Sequence, residues 1–146
     1  MKKSLLSLIS FLFLAFLSGT ASAMRDGRTA QGEPFLSGGI GAEERDALKV
    51  QREFFNVRIL TAAKGSGAYL SDVQTRITDS AGRAVLDTVM EGPWLYVKLL
   101  SGQYGVQVLY RGQTQQQNLS MGLKDQRSLN FYFIEEVERL PPGETR

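Results

Sequence analysis

The chain has 146 residues, with 17 Lys and Arg against 15 Asp and Glu, and it contains no cysteine and no histidine. The absence of cysteine excludes disulfide bonds and cysteine-linked lipid anchors. The absence of histidine excludes Ser-His-Asp and Cys-His catalysis and the commonest ligand of transition metals, so we expect a protein that is not an enzyme and has no metal and no cofactor.

Residues 1–23 have the three-part layout of a secretory signal peptide. Lys2 and Lys3 precede a mostly apolar run, 5–17, and the small-residue triplet Ala21-Ser22-Ala23 follows. This layout predicts cleavage after Ala23 and an exported, periplasmic protein. The alternative is a membrane anchor, which is disfavoured because the run is shorter than the roughly 20 apolar residues that a spanning helix needs.

The charge balance of the mature chain is neutral. Removal of Lys2 and Lys3 leaves 15 basic and 15 acidic residues, so the basic excess belongs to the signal. We therefore expect no nucleic-acid partner and a mature form that is not embedded in a membrane. The expected state is a monomer.

The segment 24–41 is rich in Gly, Ser, Arg and Asp and is predicted to be a flexible N-terminal arm. A short helix is predicted over 42–52, with acidic residues in its first turn and basic residues in its last. Ala47, Val50 and Phe54 recur at helical spacing and are the residues expected to face the rest of the protein.

From residue 55 the apolar pattern changes to a period of two, which is typical of strands. Turn residues divide it into short segments: 55–60, 73–78, 84–90, 94–100, 104–110, 113–121 and 127–134. Seven strands at this spacing predict an all-β, antiparallel seven-stranded β-sandwich preceded by one short α-helix. The domain would span 42–134, and the tail 135–146 would be flexible.

Two motifs within 73–110 resemble the carboxypeptidase regulatory-like domain, a small sandwich of the transthyretin or prealbumin shape. The first runs from Val73 to Arg83 and matches that family's V-x-V-x-D-x-x-G-[KR] pattern. The second is Leu99-Leu100-Ser101-Gly102-Gln103-Tyr104-Gly105-Val106, which is similar to L-P-x-G-x-Y-x-V with Leu100 in place of proline. The resemblance implies a prealbumin-like fold in a small exported proteobacterial protein, and it implies no particular function.

The sequence Tyr110-Arg111-Gly112-Gln113 resembles the Tyr-Arg-Gly-Ser ending of transthyretin-like hydrolases. In that family the motif is C-terminal and works beside catalytic histidines, which this chain lacks. A hairpin turn is the favoured interpretation, because catalysis requires a base within hydrogen-bonding reach.

Three carboxylates, Asp72, Asp79 and Asp87, are candidates for a calcium site or a catalytic pair. Their spacing matches no calcium loop, and Asp79 is placed to cap a tight turn. Solvated turn and strand-end residues are therefore the favoured interpretation.

Trp94, Tyr96 and Lys98 form the candidate binding site. If Leu95 and Val97 face the core, alternation places this row on the opposite face of the strand. Exposed, it would stack on a sugar or anchor a protein partner. Alternatively the 42–52 helix covers it, since a short helix needs an apolar surface.

The function favoured by the sequence is a non-enzymatic exported binding or accessory module with an unknown protein or carbohydrate partner. One alternative is a structural or assembly protein that pairs through a sheet edge, with 113–119 as the docking strand. A second is a hydrolase that uses a carboxylate pair without histidine, for which no pair is visibly placed.

Overall fold

The computed structural model describes residues 24–135, which form two β-sheets and one short α-helix. The elements are β1 Arg25–Arg28, β2 Pro34–Gly38, α1 Ala42–Gln51, a 3₁₀ turn Arg52–Phe54, β3 Val57–Ala63, β4 Gln74–Asp79, β5 Ala84–Val89, β6 Trp94–Val97, β7 Gly102–Tyr110, β8 Gln113–Met121 and β9 Arg127–Phe133. The predicted signal peptide and residues 136–146 of the predicted tail lie outside the described residues. No helix within 24–135 has the length and apolarity needed to cross a membrane.

The two sheets share one hydrophobic core. The first has the strand order β1-β2-β6-β3-β9 and the second β5-β4-β7-β8. Fully buried side chains from both sheets belong to a single cluster, among them Ile59, Ile77, Val106 and Phe131. Alternation along each strand places these residues on the inner faces.

The strand count and the purely antiparallel arrangement were wrong. Each of the seven predicted strands overlaps an observed one, but the structure has nine, and β3 pairs with β9 in parallel. β3 and β9 are neighbours in the first sheet, and the chain between them passes through β6 and the whole second sheet. Parallel pairing requires a long connection of this kind.

Segment 24–41, predicted to be a flexible arm, instead supplies the two additional strands. β1 and β2 pair as an antiparallel hairpin, and β2 pairs in turn with β6. Phe35, Leu36 and Ser37 are all buried, so β2 is covered on both faces. Such a strand lacks apolar–polar alternation, and β1 is wholly polar, which is why the pattern was missed. The helix therefore follows two strands rather than preceding them all.

The helix lies where it was predicted, but its buried face differs. Val50 and Phe54 are 78% and 70% exposed, whereas Leu48 is 1% exposed. The residues that face the sheet are Leu48, inside α1, and Phe55, which is extended after the 3₁₀ turn. The predicted stripe of Ala47, Val50 and Phe54 is thus corrected.

The prediction that Leu95 and Val97 face the core is confirmed, and Leu99 is buried with them. Leu95, Val97 and Leu99 are 0%, 0% and 2% exposed. β6 ends at Val97, and the Asn56 side chain then replaces a strand partner. It donates to the Leu99 carbonyl at 2.8 Å and accepts from the Leu99 N–H at 2.8 Å.

Candidate binding cleft between the helix and the first sheet

The outer face of β6 is the surface on which α1 packs. Trp94 and Tyr96 lie on that face, and their rings meet edge to face with centroids 6.1 Å apart. Leu48 joins Leu36, Phe55 and Tyr96 in a second hydrophobic cluster, with Met24 and Trp94 at its margin. Tyr96 is only 6% exposed and Trp94 is half-buried. The helix therefore covers Tyr96 and leaves Trp94 partly open.

The chain enters α1 through Gly39, and the lack of a side chain there allows the backbone to lie close to the Trp94 ring. Gly39 has φ +99°, a conformation that favours glycine, and a Cβ there would lie 2.7 Å from Trp94 Cδ1. Its N–H donates to Glu44 Oε2 at 3.0 Å, which ties the start of the helix to the end of β2. The approach of the helix to Trp94 is thus determined by local backbone geometry.

A cleft of about 200 Å³ remains beside the covered region. We call it the helix cleft; its lining residues are Arg45, Leu48, Lys49, Tyr69, Trp94 and Tyr96. Tyr69 belongs to the segment after β3 and is held by a bridge to Ala62. The Arg45 guanidinium carbon lies 5.8 Å from the centre of the Tyr69 ring, so the helix and this segment meet across the opening.

Of the described residues, two with cationic side chains and none with an acidic one line the helix cleft. Lys49 Nζ is 2.8 Å from Asp46 Oδ1, but both side chains are 73% exposed, so the pair is weak. Arg45 donates to the carbonyls of Gly39 and Ile40. Burial raises the pKa of Tyr96, and the charges of Arg52 and Lys49 oppose that rise, so the hydroxyl stays protonated at neutral pH.

Several polar groups of the helix cleft lack partners. Among residues 24–135, the Trp94 indole N–H and the Tyr69 and Tyr96 hydroxyls make no hydrogen bond. Arg58 lies directly opposite Tyr96 in the β3–β6 register but does not line the cleft; its Nε is buried with no hydrogen-bond partner in the described part of the chain. Of these groups only the Arg58 Nε is buried; the indole N–H and the two hydroxyls are accessible to solvent and are free to bond to a ligand.

The predicted row of Trp94, Tyr96 and Lys98 is brought together only in part. Lys98 is exposed and lies 3.4 Å from Glu33, beyond the end of β6 and outside the cleft lining. The sequence interpretation missed Arg45, Lys49 and Tyr69. Arg45 and Lys49 are spaced i, i+4, and this spacing would have placed both on one side of the helix. Tyr69 lies in a loop, where the local sequence gives no signal of its position.

The remaining candidate residues lie in turns, near strand ends or, for Asp87, inside β5. Arg111 and Gly112, with φ 44° and 78°, form the two-residue turn between β7 and β8. Asp79 Oδ1 accepts from the N–H groups of Ala81 and Arg83 at 2.9 and 3.0 Å. Asp87 accepts from Gln74 Nε2 at 2.6 Å, and Asp72 lies next to the Ser71 hydroxyl. The contacts of Asp79 and Asp72 are those of turn and strand-end residues, whereas Asp87 lies inside β5, opposite Arg76, so its assignment to a strand end was wrong.

No family model matches the chain, and comparisons with curated proteins and with solved structures find no significant match. The resemblance to the carboxypeptidase regulatory-like domain therefore stays a prediction. The function must be argued from the cleft itself.

Proposed function

We propose that the mature protein is a non-enzymatic binding module of the bacterial periplasm or cell surface, exported after cleavage behind Ala23. The helix cleft would be its ligand site, with Trp94 and Tyr96 as the aromatic wall. Its fold would be a sandwich of the prealbumin type with an added N-terminal hairpin. The sequence of residues 1–23 supports the export step.

The observation that carries this proposal is the combination of aromatic rings with unpaired polar groups in one opening. Tyr69 and Trp94 present apolar ring surface, while their hydroxyl and indole N–H have no partner in residues 24–135. Small-molecule sites are concave, mostly apolar and carry a few converging polar groups, and the helix cleft has this character.

Affinity capture tests the proposal directly. Immobilised mature protein and its Tyr69→Ala variant are incubated with periplasmic extract, and retained material is identified by mass spectrometry. Tyr69 is 53% exposed, so its removal should alter the cleft without unfolding the protein. We expect a ligand retained by the wild type and lost from the variant. Identical retention by both, or retention of nothing, would contradict the proposal.

A second candidate function is assembly through a sheet edge. β8 is an end strand of its sheet, has nine residues and an unbroken register with β7, and carries no charged side chain. Edge strands are usually protected by charge, proline or a bulge, so this one is suited to pairing with another chain.

Light scattering after size exclusion distinguishes this alternative. A dimer or larger assembly that Gln116→Lys converts to monomer would favour it, since Gln116 lies at the middle of β8 and its side chain is exposed. A protein that is monomeric at all concentrations would contradict the assembly function and leave ligand binding as the remaining proposal.

A further inference from the structure

We infer that the ligand of the helix cleft is a sugar that carries a carboxylate, such as a uronic acid residue. This inference rests on the proposed function and names the chemical class of ligand. The cleft supplies three features at once: cations, ring surface and hydrogen-bonding groups without partners. The three together match a hexose ring with one negative charge.

The cations account for the charge of the ligand. Arg45 and Lys49 line the opening, and no acidic residue within 24–135 does. Charge-assisted hydrogen bonds to a carboxylate are roughly twice as strong as neutral ones, so an anion gains most from this environment.

The ring surface and the free polar groups account for the sugar. The C–H face of a pyranose packs on aromatic rings, and Tyr69 and Trp94 offer partly exposed ones. Sugar hydroxyls both donate and accept, which suits tyrosine hydroxyls and an indole N–H. A cleft of about 200 Å³ is smaller than the roughly 300–1,000 Å³ of sites for drug-sized ligands, so one ring unit fits better than a larger group.

Trp94 is the only tryptophan of the chain and reports binding from inside the cleft. The mature protein is titrated with glucuronate, with its uncharged methyl ester, with glucose and with acetate, while Trp94 emission and calorimetric heat are recorded. The first probe has ring and charge, the next two have the ring only, and acetate has the charge only. Lys49→Gln and Arg45→Gln are compared with Arg83→Gln, a control on an exposed turn.

We expect saturable binding of glucuronate, at least tenfold weaker binding of the ester, glucose and acetate, and at least a tenfold loss with Lys49→Gln but none with Arg83→Gln. Lys49 is 73% exposed, so this variant tests the inference even if Arg45→Gln disturbs the helix start. Equal binding of the ester or glucose would overturn the carboxylate assignment, and equal binding of acetate would overturn the sugar. Absence of saturable binding by glucuronate would overturn the inference as a whole, while a neutral ligand captured through Tyr69 would leave the proposed function standing.

Discussion

The side chain of Gln115 reaches across from the second sheet to the first, where its Nε2 donates to the carbonyl of Tyr132 at 2.6 Å. Gln113 and Gln117, two residues to either side on β8, make the same contact with the carbonyls of Ile134 and Asn130. The outer edge of β9 is thus satisfied by a row of glutamine amides. This accounts for the glutamine-rich sequence of β8.

Loss of one of these glutamine–carbonyl hydrogen bonds should destabilise the fold slightly. Gln115→Ala should lower the free energy of unfolding by about 0.5–1.5 kcal/mol, the usual net value of one hydrogen bond. The matched control is Gln116→Ala, because the Gln116 side chain points to the exposed outer face. Urea denaturation of both variants measures the difference; equal values for the two would contradict the structural role of the row.

The contact of α1 with the sheet depends on Leu48. Leu48→Ala should cost about 2–5 kcal/mol, because a fully buried leucine is replaced by a cavity. Val50→Ala, two residues further along the same helix at 78% exposure, should change stability by less than about 0.5 kcal/mol. If the Val50 variant were the more destabilised in thermal unfolding, the helix would present its other face to the sheet.

Leu99 and Leu100 are neighbours in the chain, but truncation of their side chains should have different effects on stability. Leu99 is 2% exposed and Leu100 is 46% exposed. Leu99→Ala should cost about 2–5 kcal/mol and Leu100→Ala much less. Chemical denaturation tests this, and an effect of Leu99→Ala below about half a kilocalorie would mean that the strand's inward face is misassigned.

Burial of Tyr96 predicts a loss of stability at alkaline pH. Its pKa is raised above the ordinary value of 10.0, mainly by burial, so the folded state favours the neutral hydroxyl. The stabilising contribution is complete below the ordinary pKa and is lost as the pH rises through the raised one. Unfolding free energies measured from neutral pH to beyond the tyrosine range should fall less steeply for Tyr96→Phe. Parallel curves for the two proteins would show that Tyr96 is not desolvated.

The sequence predicted strand positions best where one face of the strand is buried and the other is exposed to solvent. The strands around Ile77 and Phe131 alternate, and their positions and inward faces followed from that pattern. β2 was missed because Phe35, Leu36 and Ser37 are all buried, so no alternation marks it. Its burial depends on α1 on one side and the core on the other, which local pattern does not show.

The candidate site was predictable only in its strand residues. Trp94 and Tyr96 share a face by alternation, and the need of a short helix for an apolar surface placed α1 above them. Which helix residues lie at the opening depended on how α1 is rotated against the sheet, with Leu48 buried and Val50 exposed, and this rotation was predicted wrongly. Tyr69 comes from a loop whose path is set by its bridge to Ala62, a long-range contact with no signal in local sequence.

Helix α1 packs on the Trp94–Tyr96 face and leaves a cleft there. The emission spectrum of Trp94 is the most direct test of this packing. As the only tryptophan, Trp94 reports from that face without interference. In the intact mature protein its emission maximum should lie well to the blue of the same protein in denaturant, because the ring is half-buried against the helix. Emission like that of free indole in the folded protein would contradict the packing of the helix and, with it, the cleft.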